Sequence, residues 1–87
     1  MTPAELEALR DIRGYAAAGR VIISRHARRR MAERGANDLD VMQALASAKS
    51  CESQPRDRWR VESTDLDGNP LAVVVVIEAG LIVVTLF

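Results

Sequence analysis

The sequence holds few aromatic residues, only Tyr15, Trp59 and Phe87 in 87 positions, although 48% of it is hydrophobic. The core must therefore be assembled from Val, Leu, Ile, Ala and Met. A single cysteine, Cys51, excludes an internal disulfide and fits a reducing compartment. With one histidine, His26, and no paired carboxylates at ligand spacing, no metal site and no cofactor are expected. A glycine-rich phosphate loop, a nucleophile elbow and a paired-carboxylate site are all lacking. The start, Met1-Thr2-Pro3-Ala4-Glu5, carries acid where an export signal needs basic residues before an apolar run, so a cytoplasmic location is expected. No apolar run reaches the roughly 20 residues of a membrane span. The apolar segment from Leu71 to Phe87 is broken at Glu78-Ala79-Gly80, and its β-branched content suits two strands.

What is present is one domain's worth of chain with a lopsided charge distribution. Formal net charge is +0, yet all twelve basic residues precede position 61, and eleven of them are arginine. Six arginines fall between Arg20 and Arg34 against one acid, Glu33; beyond position 60 there are four acids and no base. Such a patch argues for an anionic partner, and a solvated helix face is the ordinary alternative.

Helix signals come first. Thr2, Pro3 and Glu5 have the types and spacing of a capped helix start, and Leu6, Leu9 and Ile12 continue at helical spacing to about Ala18, with Gly19 at the end. Val21-Ile22-Ile23 reads as an extended linker or one short strand. Ser24 suits the N-cap of a second helix, Arg25 to Arg34, closed by Gly35, with Ala27 and Met31 toward the core. Asn37 or Asp38 starts a third helix to about Ala48, carrying Val41, Met42 and Leu45 on one stripe. Lys49 to Asp57 is a loop or irregular edge strand; Arg58 to Thr64 alternates as a half-buried strand does; turns at Asp67-Gly68 and Ala79-Gly80 bound two apolar strands. The expected class is α+β: two to three N-terminal helices packed on an antiparallel sheet of three to four strands, residues 1–19 forming an N-terminal helix and 20–87 the core. Because helices can cover one face only, the apolar C-terminal sheet is expected to close the other by self-association.

The residues that could do chemistry lie on the second helix. His26, Arg30 and Arg34 follow one another at four-residue spacing, so they share a face. An imidazole beside guanidinium groups can move a proton next to a phosphate whose charge the arginines hold. Cleavage of RNA needs little more, because the ribose 2′-hydroxyl is itself the nucleophile. A lone surface histidine in an arginine-rich helix is the bland reading of the same residues.

The run Ile23-Ser24-Arg25-His26-Ala27-Arg28-Arg29-Arg30-Met31-Ala32-Glu33-Arg34-Gly35, followed by Asp40-Val41, Ala44-Leu45, Trp59-Arg60-Val61, the Asp67-Gly68 turn, a valine-rich strand and Ile82-Val83-Val84-Thr85, resembles domain-of-unknown-function family 4258 over about residues 20–87. That family looks like a relative of the RelE and BrnT toxins, which pack N-terminal helices on an antiparallel sheet and often cleave RNA. The resemblance implies a RelE-like, metal-independent RNA endonuclease, the toxin of a toxin–antitoxin pair. His26, Arg30 and Arg34 are then the catalytic motif positions and Thr85 a further candidate. Arg28, Arg29, Arg58 and Arg60 would guide the RNA backbone, and an acidic antitoxin-like protein would cover the patch. The chain departs from the family pattern at Ala36-Asn37, where an aliphatic residue and a serine are usual; this alters the third helix cap and leaves the charged row intact. The alternative is a non-catalytic binding or regulatory module of the same fold, holding an acidic partner or nucleic acid.

Overall fold

A computed structural model describes residues 1–87. The first helix, α1 (Pro3–Ala17), begins where a capping box can form: Thr2 Oγ1 accepts from Glu5 N–H at 3.1 Å while the Glu5 carboxylate accepts from Thr2 N–H at 2.8 Å. Ala8, Leu9, Ile12 and Ala16 are buried. Leu6 faces water instead, 53% exposed, so the apolar stripe is narrower at its start than the spacing suggests. Strand β1 (Val21–Ile23) follows, then α2 (Arg25–Arg34), whose N-cap Ser24 accepts from Ala27 N–H at 3.0 Å. Gly35 ends α2 in the left-handed region, φ 76°.

Helix α3 (Asp38–Ala46) carries a second capping box, built by Asn37 and Asp40. Asp40 also accepts from Leu66 N–H at 3.1 Å, which clips the head of α3 to a distant turn. The Asn37 amide first, and the Leu66 amide second, hold the Asp40 carboxyl below the ordinary carboxylate value. A carboxyl whose folded-state value is depressed stabilises the fold fully above its unfolded value, and that contribution disappears as pH falls through the folded one. Thermal melts between neutral pH and about pH 3 are therefore expected to show a fall in Tm that begins near pH 4. The fall should be shallower in Asp40→Asn. Removing the cap itself, Asn37→Ala, should cost about 1 kcal/mol at neutral pH; an unchanged acid slope in Asp40→Asn would refute the clip.

The rest is sheet: β2 (Cys51–Gln54), β3 (Arg58–Thr64), β4 (Pro70–Ile77) and β5 (Leu81–Leu86), in spatial order β1-β5-β4-β3-β2. The expectation of three to four antiparallel strands is corrected to five strands in a mixed sheet, because β1 pairs parallel to β5. Three residues are too few to display an alternation, and β1 is identified only by its partner, 60 positions later. The segment that reads as loop or edge strand supplies the outer edge strand, β2, joined to β3 through Arg56 and Asp57, both at positive φ. Between β3 and β4, Asp65 Oδ1 accepts from Asp67 and Asn69 N–H, each at 2.9 Å. Between β4 and β5 sits Gly80, φ 140°, where an added Cβ would approach Arg20 O to 3.2 Å.

A bulge decides which β5 residues face inward. Val74 pairs with Thr85 but Val75 pairs with Val83, so Val84 is the extra residue. Leu86 thereby returns to the face of Val83, and both are fully buried with Leu81. They join Val61, Leu71, Val73 and Val75 in one cluster with the inward residues of all three helices. The helices therefore cover one face of the sheet. On the other face Ile22 is 67% exposed and Val76 and Ile82 are half-buried. No helix is long and apolar enough to cross a membrane.

Candidate functional site

Helix α2 lies beside the second half of β5, taking over the edge that β1 occupies beside the first half. The handover is fixed at Ser24: its N–H donates to Val83 O and its hydroxyl to Val84 O, both at 3.0 Å. With Ala27 and Met31 turned into the core, the opposite face of α2 carries its charge. His26 is exposed, at the first turn, and its imidazole makes no hydrogen bond or ion pair with any other residue. Arg30, one turn on, is half-buried; its Nε donates to Leu86 O at 3.2 Å, and its guanidinium lies 5.4 Å from the centre of the Phe87 ring. Arg34, a further turn on, donates to Pro70 O at the start of β4.

These bonds use one donor position of each guanidinium. Arg30 also lies loosely against Glu33, at 3.7 Å, and its remaining donors stay available to a ligand, as do those of Arg34. From the sheet side, Arg60 brings a third guanidinium to the same ring, 5.1 Å from its centre. Arg60 Nε is buried and lies 3.3 Å from Glu62 Oε1, out of line for a hydrogen bond. Arg30, Glu33, Arg34, Leu86 and Phe87 line a recess of about 170 Å³, and a neighbouring one of about 230 Å³ runs from Arg34 past Phe87 to Arg60 and Ser63.

The other candidates are dispersed. Arg28 turns away to Asp38, 2.8 Å, and that pairing raises the guanidinium's affinity for its proton. Arg29 is exposed without a partner. Arg58 and Thr85 sit on the sheet face opposite the core, Arg58 opposite Val76 and Thr85 opposite Val74. The structure therefore brings Arg30, Arg34 and Arg60 together around Phe87, with His26 one turn away along α2, and leaves Arg28, Arg58 and Thr85 outside that group. Sequence reasoning misses Phe87; its one signal there is an aromatic residue following a strand in a chain that has three.

A family model described as a domain of unknown function (DUF4258) matches residues 23–87, a span that includes all of α2 and every strand but most of β1. No curated protein and no solved structure matches the chain.

Proposed function

We propose that this chain, which belongs to the domain-of-unknown-function family DUF4258, is a metal-independent endoribonuclease of RelE-like type, acting as the toxin of a toxin–antitoxin pair in the cytoplasm. The observation that supports this reading best is an exposed, unpartnered His26 one helical turn from an arginine group whose guanidiniums are already oriented by main-chain carbonyls. Oriented donors gain more on meeting a phosphate than floppy ones, because less freedom is lost. In the reaction the ribose 2′-oxygen attacks the adjacent phosphorus, the bond to the 5′-oxygen breaks, and a 2′,3′-cyclic phosphate and a 5′-hydroxyl result. His26 takes the proton from the 2′-hydroxyl or delivers one to the leaving oxygen, while Arg30 and Arg34 hold the charge that builds on the phosphorane. Thr85 lies on the sheet face across β5 and is left as a flanking residue. Arg29 and Arg60 extend the cationic surface on either side.

The test is cleavage of end-labelled single-stranded RNA in excess EDTA, with the product ends identified and binding followed as a function of salt. Fragments ending in cyclic phosphate are expected. Arg30→Ala with Arg34→Ala should weaken binding and reduce the salt slope by about one for each phosphate that the variant no longer neutralises. Binding without cleavage would support the other reading instead, a module that holds nucleic acid or an acidic protein. One observation favours that alternative: Arg30 and Arg34 each already anchor a strand end, a use that a purely structural row would also have.

A further inference from the structure

Two recesses lie side by side around Phe87. The first is lined by Arg30 and Arg34 and the second by Arg34 and Arg60, so each has two guanidiniums and they share one. Phe87 lines both and is 46% exposed. Arg30 and Arg60 stand 5.4 and 5.1 Å from the centre of its ring, so their separation cannot exceed those two lengths together. The phosphate assigned to Arg30 and Arg34 occupies the first recess; the second has no part in that step. Its donors are nevertheless the less spent. No nitrogen of Arg60 donates a hydrogen bond within the chain: Nε is buried and out of line with Glu62, and the Nη groups reach the surface. An arginine held by packing, with its N–H groups unused, is short of an acceptor.

The acids nearby do not supply one. Glu52, opposite Arg60 on β2, accepts from Gln54 Nε2 at 3.2 Å instead. Glu62, with 72% of its side chain exposed, makes no hydrogen bond to Arg60, just as Glu33 makes none to Arg30 across 3.7 Å in the other recess. Exposed pairs of this kind are worth little. A phosphate accepts through two oxygens in the geometry of the guanidinium fork, so it displaces them at small cost. Both recesses thus present the same chemistry, two guanidiniums beside an exposed carboxylate, on either side of one aromatic ring. Consecutive phosphates of an RNA strand are joined through a single ribose, so they need two anion sites this close, with apolar surface for the nucleoside between them. We propose that the recess between Arg34 and Arg60 is a second phosphate subsite, which holds the phosphodiester next to the scissile one, and that Glu62 limits its affinity. This subsite presupposes the RNA reading of the Arg30–Arg34 recess and adds a substrate requirement to it, two consecutive charged linkages.

Trinucleotides of 2′-O-methyl RNA lack the nucleophilic hydroxyl and stay uncut, which separates binding from cleavage. Three are titrated into the full chain and followed by amide chemical shifts at low salt, where charge pairs are least screened. One has both linkages charged; in the others the first or the second linkage is a neutral methylphosphonate. The doubly charged ligand should bind the wild-type chain about fivefold more tightly than either singly charged one. In Arg60→Ala that advantage over the better singly charged ligand should vanish, because only one subsite remains. Glu62→Gln should tighten the doubly charged ligand by about threefold, a gain that a misfolded variant cannot give. A wild-type chain indifferent to the second charge overturns the subsite and leaves the Arg30–Arg34 reading standing. So does an advantage that survives unchanged in Arg60→Ala. If none of the three ligands binds, both proposals fall. The expected binding pattern in a chain that leaves unmodified RNA intact would support the subsite while refuting the nuclease.

Discussion

His26→Ala is expected to lower the single-turnover rate of RNA cleavage by about 10²- to 10⁴-fold, the range for a missing proton-transfer group. RNA affinity and Tm should hardly move. The separation follows from where the residue sits: exposed on the first turn of α2, its ring bonded to nothing, it contributes no packing that alanine would lack. Surface changes of this kind stay within about 0.5 kcal/mol. Its neighbours cannot isolate chemistry in the same way. Arg30→Ala would also remove the bond to Leu86 O and the stacking over the Phe87 ring, and Arg34→Ala the bond to Pro70 O, so their effects mix binding with stability. His26→Ala is therefore the decisive variant. Full cleavage by a protein lacking this imidazole would end the proposed mechanism, whatever the arginines do.

Ile12→Ala is expected to be the most damaging core substitution outside the family-matched segment. Ile12 is fully buried in the shared cluster, together with Ala8, Leu9 and Ala16 of the same helix. Cutting such a side chain back to its β-carbon costs about 2–5 kcal/mol. Domains hold only about 0.05–0.15 kcal/mol per residue in total, so a chain of this length would lose a large share of its stability. At about 4–8 °C per kcal/mol, the Tm should drop by roughly 10 °C or more. Urea denaturation followed by circular dichroism measures this directly. A destabilisation below about 0.5 kcal/mol would mean that α1 is an appendage and that residues 23–87 fold without it. The packing of α1 on α3 and the sheet argues otherwise, and it makes the helix part of the domain even though the family match begins after it.

Local chemistry was readable; distant partnership was not. The caps at Thr2, Ser24 and Asn37 and the stop at Gly35 depend on residues within four positions of each other, and each forms as the residue types indicate. The turns at Asp67-Gly68 and Ala79-Gly80 are of the same kind. Strand β1 depends on β5 and strand β2 on β3, and neither is long or regular enough to declare itself before its neighbour is known. The bulge at Val84 is invisible in a run where every residue nearby is apolar or β-branched, yet it decides that Leu86 is core and Thr85 is not. For the candidate site, periodicity placed His26, Arg30 and Arg34 on one helical face. It could not say that the two arginines would be tethered to β4 and β5, because those carbonyls come from 36 and 56 positions away. Nor could it separate Arg58 from Arg60, which share one sheet face but meet different neighbours.

The parallel pairing of β1 with β5 has a consequence for synthesis. As the chain leaves the ribosome, β1 emerges early and has no strand to bond to until the final one follows. Pairings across so long a separation form late, since the entropy of closing the intervening loop must be overcome first. Arg30 is tied to Leu86, and so its orientation waits on the same event. A nascent chain thus carries an arginine-rich helix long before that helix has its anchors, and the cationic group is among the last features of the molecule to mature.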